Sequence, residues 1–489
     1  MKFNFPFTNF RFTLIAVAAL GCLGLSACGS VGPDFKRPDV PAVAALTRNA
    51  PQATPDKAFP STEMHDKWWR AYGSPRIDAL VDLALAHNPN LDAGLANLKA
   101  AQENVTAQRG FFYPTVSLGY NGSRQSIGRA LSSPLTSGAS LYNLHTAGLN
   151  VGFVPDVFGA NRRQVESLQA TADSQKYQLD ALRITLISNV VAAAIQEQFL
   201  LEQVDIVQEA IAAAAEQLKQ VKILLAAGYS SGLDSAQQET TYAQTLALLP
   251  PLKKQLEQTR NLLAVLCGQL PATPLLQANT DMAYQPIKHL TVLPHVLPSE
   301  FVARRPDIAA AEEQLHASFA QIGVATGNML PQLSLSASLG YANGGLAGLL
   351  APGNQAWGLL AGITQPLFAG GTLTARKRAA EAAAQGAAAQ YQSTVLTAFQ
   401  NVADTLYAVE ADQQSLEATK AVQVATQRQW QMTKNQFEQG YTSRFVLLAA
   451  QQTYLQAEVA RSAAEASYLG DTVSLYQSLG GGWQASVKP

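Results

Sequence analysis

The chain has 489 residues, with 47% hydrophobic and only 14% charged side chains, against about 25% charged in ordinary soluble domains. A formal net charge of −1 leaves no basic field for nucleic acid, whose binding rests on phosphate contacts. The six histidines never fall at the i, i+4 spacing of a helical metal site, and no phosphate-binding glycine loop or nucleophile elbow is present. No metal, cofactor or catalytic residue is expected, and the chain is not read as an enzyme.

Residues 1–27 read as a signal peptide. Lys2 and Arg11 supply its charged start, and Leu14 to Leu25 form an apolar stretch too short to span a bilayer as a helix. The run Leu25-Ser26-Ala27-Cys28 resembles the bacterial lipobox, so Cys28 is expected to be diacylated and to become the mature N-terminus. An ordinary signal peptide cut near Ala27 is the alternative. Of the three cysteines, Cys22 would leave with the signal. Cys267 stands alone at the end of the apolar run Leu262–Leu266 and is expected to be a small buried hydrophobe. Residues 28–62, rich in Pro and Ala and without periodicity, predict an extended arm.

The rest is written twice. Pro89 and Pro306 lie 217 apart, as do Pro114 and Pro331; Phe158-Gly159 matches Phe368 to Gly370 at 210; Ala227 to Ser231 matches Gln439 to Ser443 at 212, and Gly268 matches Gly480 at 212. A first repeat over 63–271, a linker over 272–298, a second repeat over 299–483 and a tail over 484–489 follow. The offset places a longer connection between Pro114 and Phe158, where surface loops tolerate insertion.

Each repeat opens with a helical pattern, from about Ile77 to Gly110 and from about Ser299 to Gly327. A pair of alternating strands follows. Leu333, Leu335, Ala337, Leu339 and Tyr341 alternate with Gln332, Ser334, Ser336, Ser338 and Gly340; Trp357, Leu359, Ala361 and Ile363 alternate with Gly358, Leu360, Gly362 and Thr364. Val116, Leu118 and Tyr120, then Leu149, Val151 and Phe153, do the same in the first repeat. Half-buried strands of a soluble sheet alternate in this way. Two features favour a membrane: the polar face is uncharged, as suits a lumen, and no helix within the hairpins could cover the apolar face. Leu333, Leu335, Leu339, Trp357 and Leu359 are then expected to face lipid, with loops over Gly122–Thr146 and Ala342–Ala356. Four strands cannot close a barrel, for which about eight are needed, so copies must pool their strands.

A long helical run follows each strand pair. Asn161 to Ala227 contains 67 residues without Gly or Pro, and Ala375 to Gln439 contains 65 interrupted only by Gly386. Each could span roughly 100 Å. Leu200, Val204, Val207, Ile211, Ala214, Leu218, Val221 and Leu225 recur at alternating spacings of 4 and 3, a heptad seam for side-by-side packing. Phe399, Val402, Leu406 and Val409 echo it. Gly228 and Gly440 end the runs, and helices return over Leu233–Leu249 and Phe445–Leu475, the first broken by Pro250-Pro251. The turns Gly228-Tyr229-Ser230 and Gly440-Tyr441-Thr442-Ser443 are therefore expected at the far tip of these hairpins, as a dock for a partner.

Cys28 with Val31 to Pro38, Trp68-Trp69, Asn88-Pro89, Arg304 to Ile308, Pro331 to Ser334 and Leu479 to Trp483 resemble a TolC-like outer-membrane efflux protein, in the lipoprotein branch that serves resistance–nodulation–division pumps. The resemblance spans the mature chain. It implies an α+β membrane protein and a homotrimer: a twelve-stranded transmembrane barrel, four strands per chain, continued by a twelve-helix periplasmic tunnel. It also implies outer-membrane lipid around the barrel, which the Gly29 that follows Cys28 favours, and substrate handed over by an inner-membrane pump and a periplasmic adaptor. The chain departs from the family at the second tip. Where relatives carry acidic residues that constrict the pore, Arg444 is the only charge from Gly440 to Gln451, which makes Arg444 a possible gate residue. Two other functions fit parts of the pattern. An exit duct for protein secretion commonly lacks the lipobox and the Gly-Gly-Gly-Trp ending, and a lipid-anchored coiled-coil scaffold or adhesin does not account for the paired hairpins.

Overall fold

A computed structural model describes residues 30–38, 67–126, 128, 140–273, 287 and 305–481. The elements run α1 (Pro75–His87), α2 (Pro89–Arg109), β1 (Thr115–Ser126), β2 (Leu141–Phe153), α3 (Ala160–Ala226), α4 (Gly232–Ala247), α5 (Leu249–Leu266), α6 (Pro306–Gly327), β3 (Gln332–Asn343), β4 (Gln355–Thr364), α7 (Thr372–Glu438) and α8 (Arg444–Ser478). They form two compact units. One comprises residues 1–38, 97–175 and 311–391; the other comprises 39–96, 176–310 and 392–489.

The first unit holds one antiparallel sheet in the order β1-β2-β3-β4. Directly opposed residues in such a sheet share a face, and the register matches apolar with apolar over the middle of the sheet, giving way to Gly122 opposite His145 and Arg124 opposite Asn143 toward the hairpin end. Leu118 pairs with Leu149, Leu149 with Leu339, and Leu339 with Trp357. Ser117 pairs with Asn150, Asn150 with Ser338, and Ser338 with Gly358 on the other face. The strands outrun the sequence expectation at the hairpin ends. β1 continues to Ser126 and β2 starts at Leu141 because backbone pairing, such as Ser126 with Leu141, persists after the apolar alternation stops. Tyr142 Oη donates to Gln125 Oε1 at 3.0 Å and ties that end together.

The register also corrects the repeat alignment. Thr115 pairs with Gly152 and Gln332 with Thr364, which places the second strands 212 apart, not 210. Gly159 at φ 76 directly precedes α3 as Gly371 at φ 81 directly precedes α7, again 212 apart. The likeness of Phe158 to Phe368 is thus two residues out of structural register.

In the second unit the predicted opening helix is two helices. Pro89 lacks an N–H and forces Asn88 out of the helical region, to φ −75 and ψ 118. The Asn88 carboxamide then caps α2, accepting from Asn90 N at 2.9 Å and donating to Leu266 O at 2.8 Å. Trp68 and Trp69 are buried in a short 3-10 helix, with Trp68 stacked on Tyr476 at 5.0 Å. The heptad seam packs as expected through Leu200 and Val204, which cluster with Leu256 of α5, but Leu225 near its end is exposed. Pro250 and Pro251 interrupt the hydrogen-bond ladder in the first turn of α5, although Leu248 before them keeps helical angles. Glu197, buried in α3, is held by Arg76 at 2.6 Å and Arg260 at 3.1 Å. Cys267 is fully buried against the Leu80 carbonyl, and burial pushes its thiol up to about 11.

Candidate functional site

No charged side chain stands on the sheet between Thr115 and Asn121 or between Leu149 and Phe153, or anywhere in β3 and β4. Leu333, Leu335, Leu339, Trp357 and Leu359 lie on the apolar face together. Leu333 is half-buried, whereas Leu359 is 76% and Trp357 75% exposed. On the small-residue face of β3 and β4, Leu360 is a large apolar side chain, also exposed, and toward the hairpin end of β2 the same face carries Leu144 and Tyr142. With no layer among the described residues over the large apolar side chains of the apolar face, that face is an interaction surface. Among the described residues neither β1 nor β4 has a neighbour on its outer edge, and unpaired edges are not tolerated in hydrocarbon.

The two helical turns in the second unit are built alike. Gly228 and Gly440 take φ 78 and 76, a left-handed conformation that side chains with a Cβ disfavour. Tyr229 N then donates to Leu224 O at 2.8 Å, and Tyr441 N to Gln436 O at 2.9 Å, which satisfies carbonyls left over at the helix ends. Ser231 caps α4 in a reciprocal box with Asp234, and Ser443 caps α8 by accepting from Val446 N. Tyr229 and Tyr441 are the products of this geometry, 84% and 81% exposed. Ser230 donates to Asp234, while Thr442 stands beside Ser443 in the second turn.

Arg444 begins α8 and reaches Glu216 of α3 at 3.2 Å. The carboxylate that the second tip lacks is thus supplied by the first long helix, 228 residues earlier (444 − 216), where no local pattern around Arg444 could reveal it. A Gln220 hydrogen bond holds the Glu216 carboxyl below its ordinary range, with Lys219 and Arg444 adding to the effect. Farther along α8, Arg461 binds Glu202 of α3 together with Glu458 and Glu465 of its own helix. Among the described residues no group of three or more His, Cys, Asp or Glu is placed to hold a metal ion.

The arm is more than a tether, which the sequence reading missed. In the first unit Arg163 of α3, only 4% exposed, donates to Val31 O at 3.1 Å and Asp34 Oδ1 at 2.5 Å. Phe35 stacks on His316 at 4.6 Å and meets Phe319 edge-on. Gly32 passes so close to α6 that a Cβ there would stand 2.5 Å from Gly323 Cα. Only the run Val31 to Pro38 itself could have signalled this clasp. Cys28 lies outside the described residues, as do 39–66 with the rest of the arm, 274–286 and 288–298 of the linker, the expected helix start over 299–304, and the ending after Gly481.

A bilayer-height sheet with one continuous apolar face, open edges and long helical hairpins defines a strand-forming channel subunit. Residues 80–269 and 297–481 match the family described as Outer membrane efflux protein, and the chain belongs to that family. It is 29% identical over 451 residues to the pyoverdine export outer membrane protein OpmQ of Pseudomonas putida, covering 89% of this chain and 91% of the relative. It is 28% identical over 460 residues to the toluene efflux pump outer membrane protein TtgC of the same species, covering 94% and 93%. The outer-membrane channel OprN superposes with a TM-score of 0.81 at 29% identity, over 93% of this chain and all of that one. The open state of the Neisseria gonorrhoeae MtrE outer-membrane channel superposes at 0.79 with 26% identity, over 93% and 98%. The chain is an efflux duct of the outer membrane, in the α+β fold of these channels.

Proposed function

We propose that three copies of this chain pool their sheets into a twelve-stranded barrel, with the helical hairpins forming a periplasmic tunnel beneath it. The carrying observation is the register: over 116–121, 147–153, 332–341 and 357–364 the four strands turn apolar residues to one face and, Leu360 apart, small or polar residues to the other, and among the described residues both outer edges are unpaired. Leu333, Leu335, Leu339, Trp357 and Leu359 then face lipid, and the Ser, Gly and Asn face lines a passive pore. The exposed tyrosine turns at 228–230 and 440–443 are the dock for a periplasmic adaptor, through which a resistance–nodulation–division pump of the inner membrane delivers small toxic compounds. Arg444 and Glu216 restrain the resting tip, and a diacyl chain on Cys28 adds a second membrane anchor. The named relatives are a pyoverdine export protein and a toluene efflux pump protein, which supports small molecules as cargo.

Planar-bilayer recording of the purified full chain, paired with native mass spectrometry, tests this. Discrete single-channel steps from a three-chain species are expected. A species of another stoichiometry, or a trimer without conductance, would sink the proposal.

A further inference from the structure

The arm fixes which way two helices of the first unit face. On α6, Arg37 pairs with Glu312 at 2.9 Å, Phe35 packs on His316 and Phe319, and Gly32 crosses Gly323. Spacings of 4, 3 and 4 put these contacts on one helix face. On α3 the arm meets Arg163, and Gly159 directly before the helix. The opposite sides of both helices line a cavity of about 400 Å³. Asn328 N bonds to Val324 O at 3.0 Å and so continues the α6 spiral. At about 100° per residue, Asn328 stands about 140° round α6 from Gly323, and Asn161 about 160° round α3 from Arg163. Between the two sides the helices close on each other: a Cβ added to Gly327 would stand 2.7 Å from the Ala160 Cβ. The cavity therefore opens away from the arm. It adjoins the polar face of the sheet, because Gln332, which begins β3 on that face, is part of its wall.

The wall is rich in carboxamides: Gln108, Asn161, Gln164, Asn328 and Gln332. Gln108 Nε2 donates to Asn161 Oδ1 at 2.5 Å, and Gln332 Nε2 donates to Gly327 O at 3.1 Å, so two of them are held in place. Asn161 Nδ2 is buried and has no acceptor among the described residues, a costly state for a donor unless a ligand accepts from it. Phe111, 65% exposed, and Phe158 add aromatic surface. Asp156 is the one ionisable group among the lining residues. Its two carboxylate oxygens accept from Asn161 N at 2.9 Å and Arg162 N at 2.8 Å, which caps α3.

We propose that this cavity is a binding site for cargo at the throat of the duct, where the sheet passes into the helices, and that it takes an uncharged aromatic molecule bearing hydroxyl or amide groups. The proposal rests on the reading of the polar sheet face as the lumen. Carboxamides both donate and accept, so they match hydroxyl and amide groups without favouring either sign of charge. The aromatic walls supply stacking area, and the volume falls within the roughly 300–1,000 Å³ of small-molecule sites. An anion would meet the Asp156 carboxylate with no cation in the wall, and a cation would find that carboxylate already bonded to two backbone amides. Binding in a conduit is weak, since cargo that enters must also leave.

Three probes of one skeleton test it: neutral N-acetyltyrosinamide, anionic N-acetyltyrosine and cationic tyrosinamide. Each is offered to the purified full chain in equilibrium dialysis and in single-channel recording. The neutral probe should bind more tightly than either charged one and should reduce the single-channel current. Asn328→Leu and Phe111→Ala should each weaken its binding about fivefold, the loss of one neutral hydrogen bond or one aromatic contact, with parental circular dichroism and trimer yield. A conducting channel that binds none of the probes, binds all three alike, or binds equally well in both variants would overturn the site and leave the duct standing. Binding that is lost in the variants but leaves the current of a conducting channel unchanged would overturn its place in the throat. A chain that gives no conductance would overturn the duct reading and with it the throat, while dialysis would still show whether the cavity binds the neutral probe.

Discussion

Arg444 Nη2 in the first turn of α8 stands 3.2 Å from Glu216 Oε1 of α3, so the two helical hairpins are tied together close to the second turn. The hairpin tip that reads as a lone cation in sequence is therefore half of a pair. Three uncompensated cations around one constriction would repel, and the intrachain carboxylate removes that difficulty.

If the pair restrains the resting tip, Arg444→Ala and Glu216→Gln should each increase vancomycin uptake several-fold with barrel yield unchanged. The exchange Arg444→Glu/Glu216→Arg should recover most of the restraint. Because the Glu216 carboxyl is held below its ordinary 4.5, its contribution is present at neutral pH and is lost only as pH falls through that lowered value. Uptake through the parent should thus be flat between neutral and mildly acidic pH. Increased uptake in Arg444→Ala with none in Glu216→Gln would assign Arg444 a role apart from this pair.

The face assignment makes opposite predictions for adjacent residues. Leu335→Arg places a charge toward mid-bilayer and should cost about 2–4 kcal/mol per copy, which lowers trimer yield. Ser336→Arg, on the other face, should assemble and reduce cation conductance. Equal yields and equal currents from the two variants would show that the faces are wrongly assigned.

The arm clasp is pH-dependent through His316. Its ring is raised above 6.5, chiefly by the Glu313 hydrogen bond and further by Glu166, against a desolvation cost. A raised folded value contributes stability that is complete below 6.5 and fades as pH rises through the folded value. Histidine hydrogen–deuterium exchange should place the His316 midpoint above 6.5. His316→Ala should speed tryptic cleavage after Lys36 several-fold by removing the ring under Phe35; unchanged cleavage would show that Arg163 alone holds the arm.

Cys28→Ser should abolish acylation and slow maturation, because no other residue near the expected cleavage point carries a thiol except Cys22 inside the signal. Mass spectrometry of the mature N-terminus decides it. Partial efflux should survive, since one lipid anchor only supplements a barrel held by its own apolar face.

Residue order alone determined the parts of this protein that depend on local periodicity. Alternation over Leu333 to Tyr341 fixed which residues share a face, because side chains in a strand repeat every two residues. Glycine-free runs and heptad spacing fixed the long helices, and Gly228 and Gly440 fixed where they turn. Local pattern also set limits. It joined α1 and α2 across Asn88, where a proline's missing N–H outweighs helical spacing, and it matched Phe158 to Phe368 two residues out of register. The tertiary structure alone decided what depends on partners far apart in sequence. The cross-strand register that makes four apolar faces one is such a case, as are the Glu216 carboxylate beside Arg444 and the seat of Phe35 on His316. Contacts of that kind are set by how helices and strands pack side by side, and a one-dimensional pattern carries no coordinate for it.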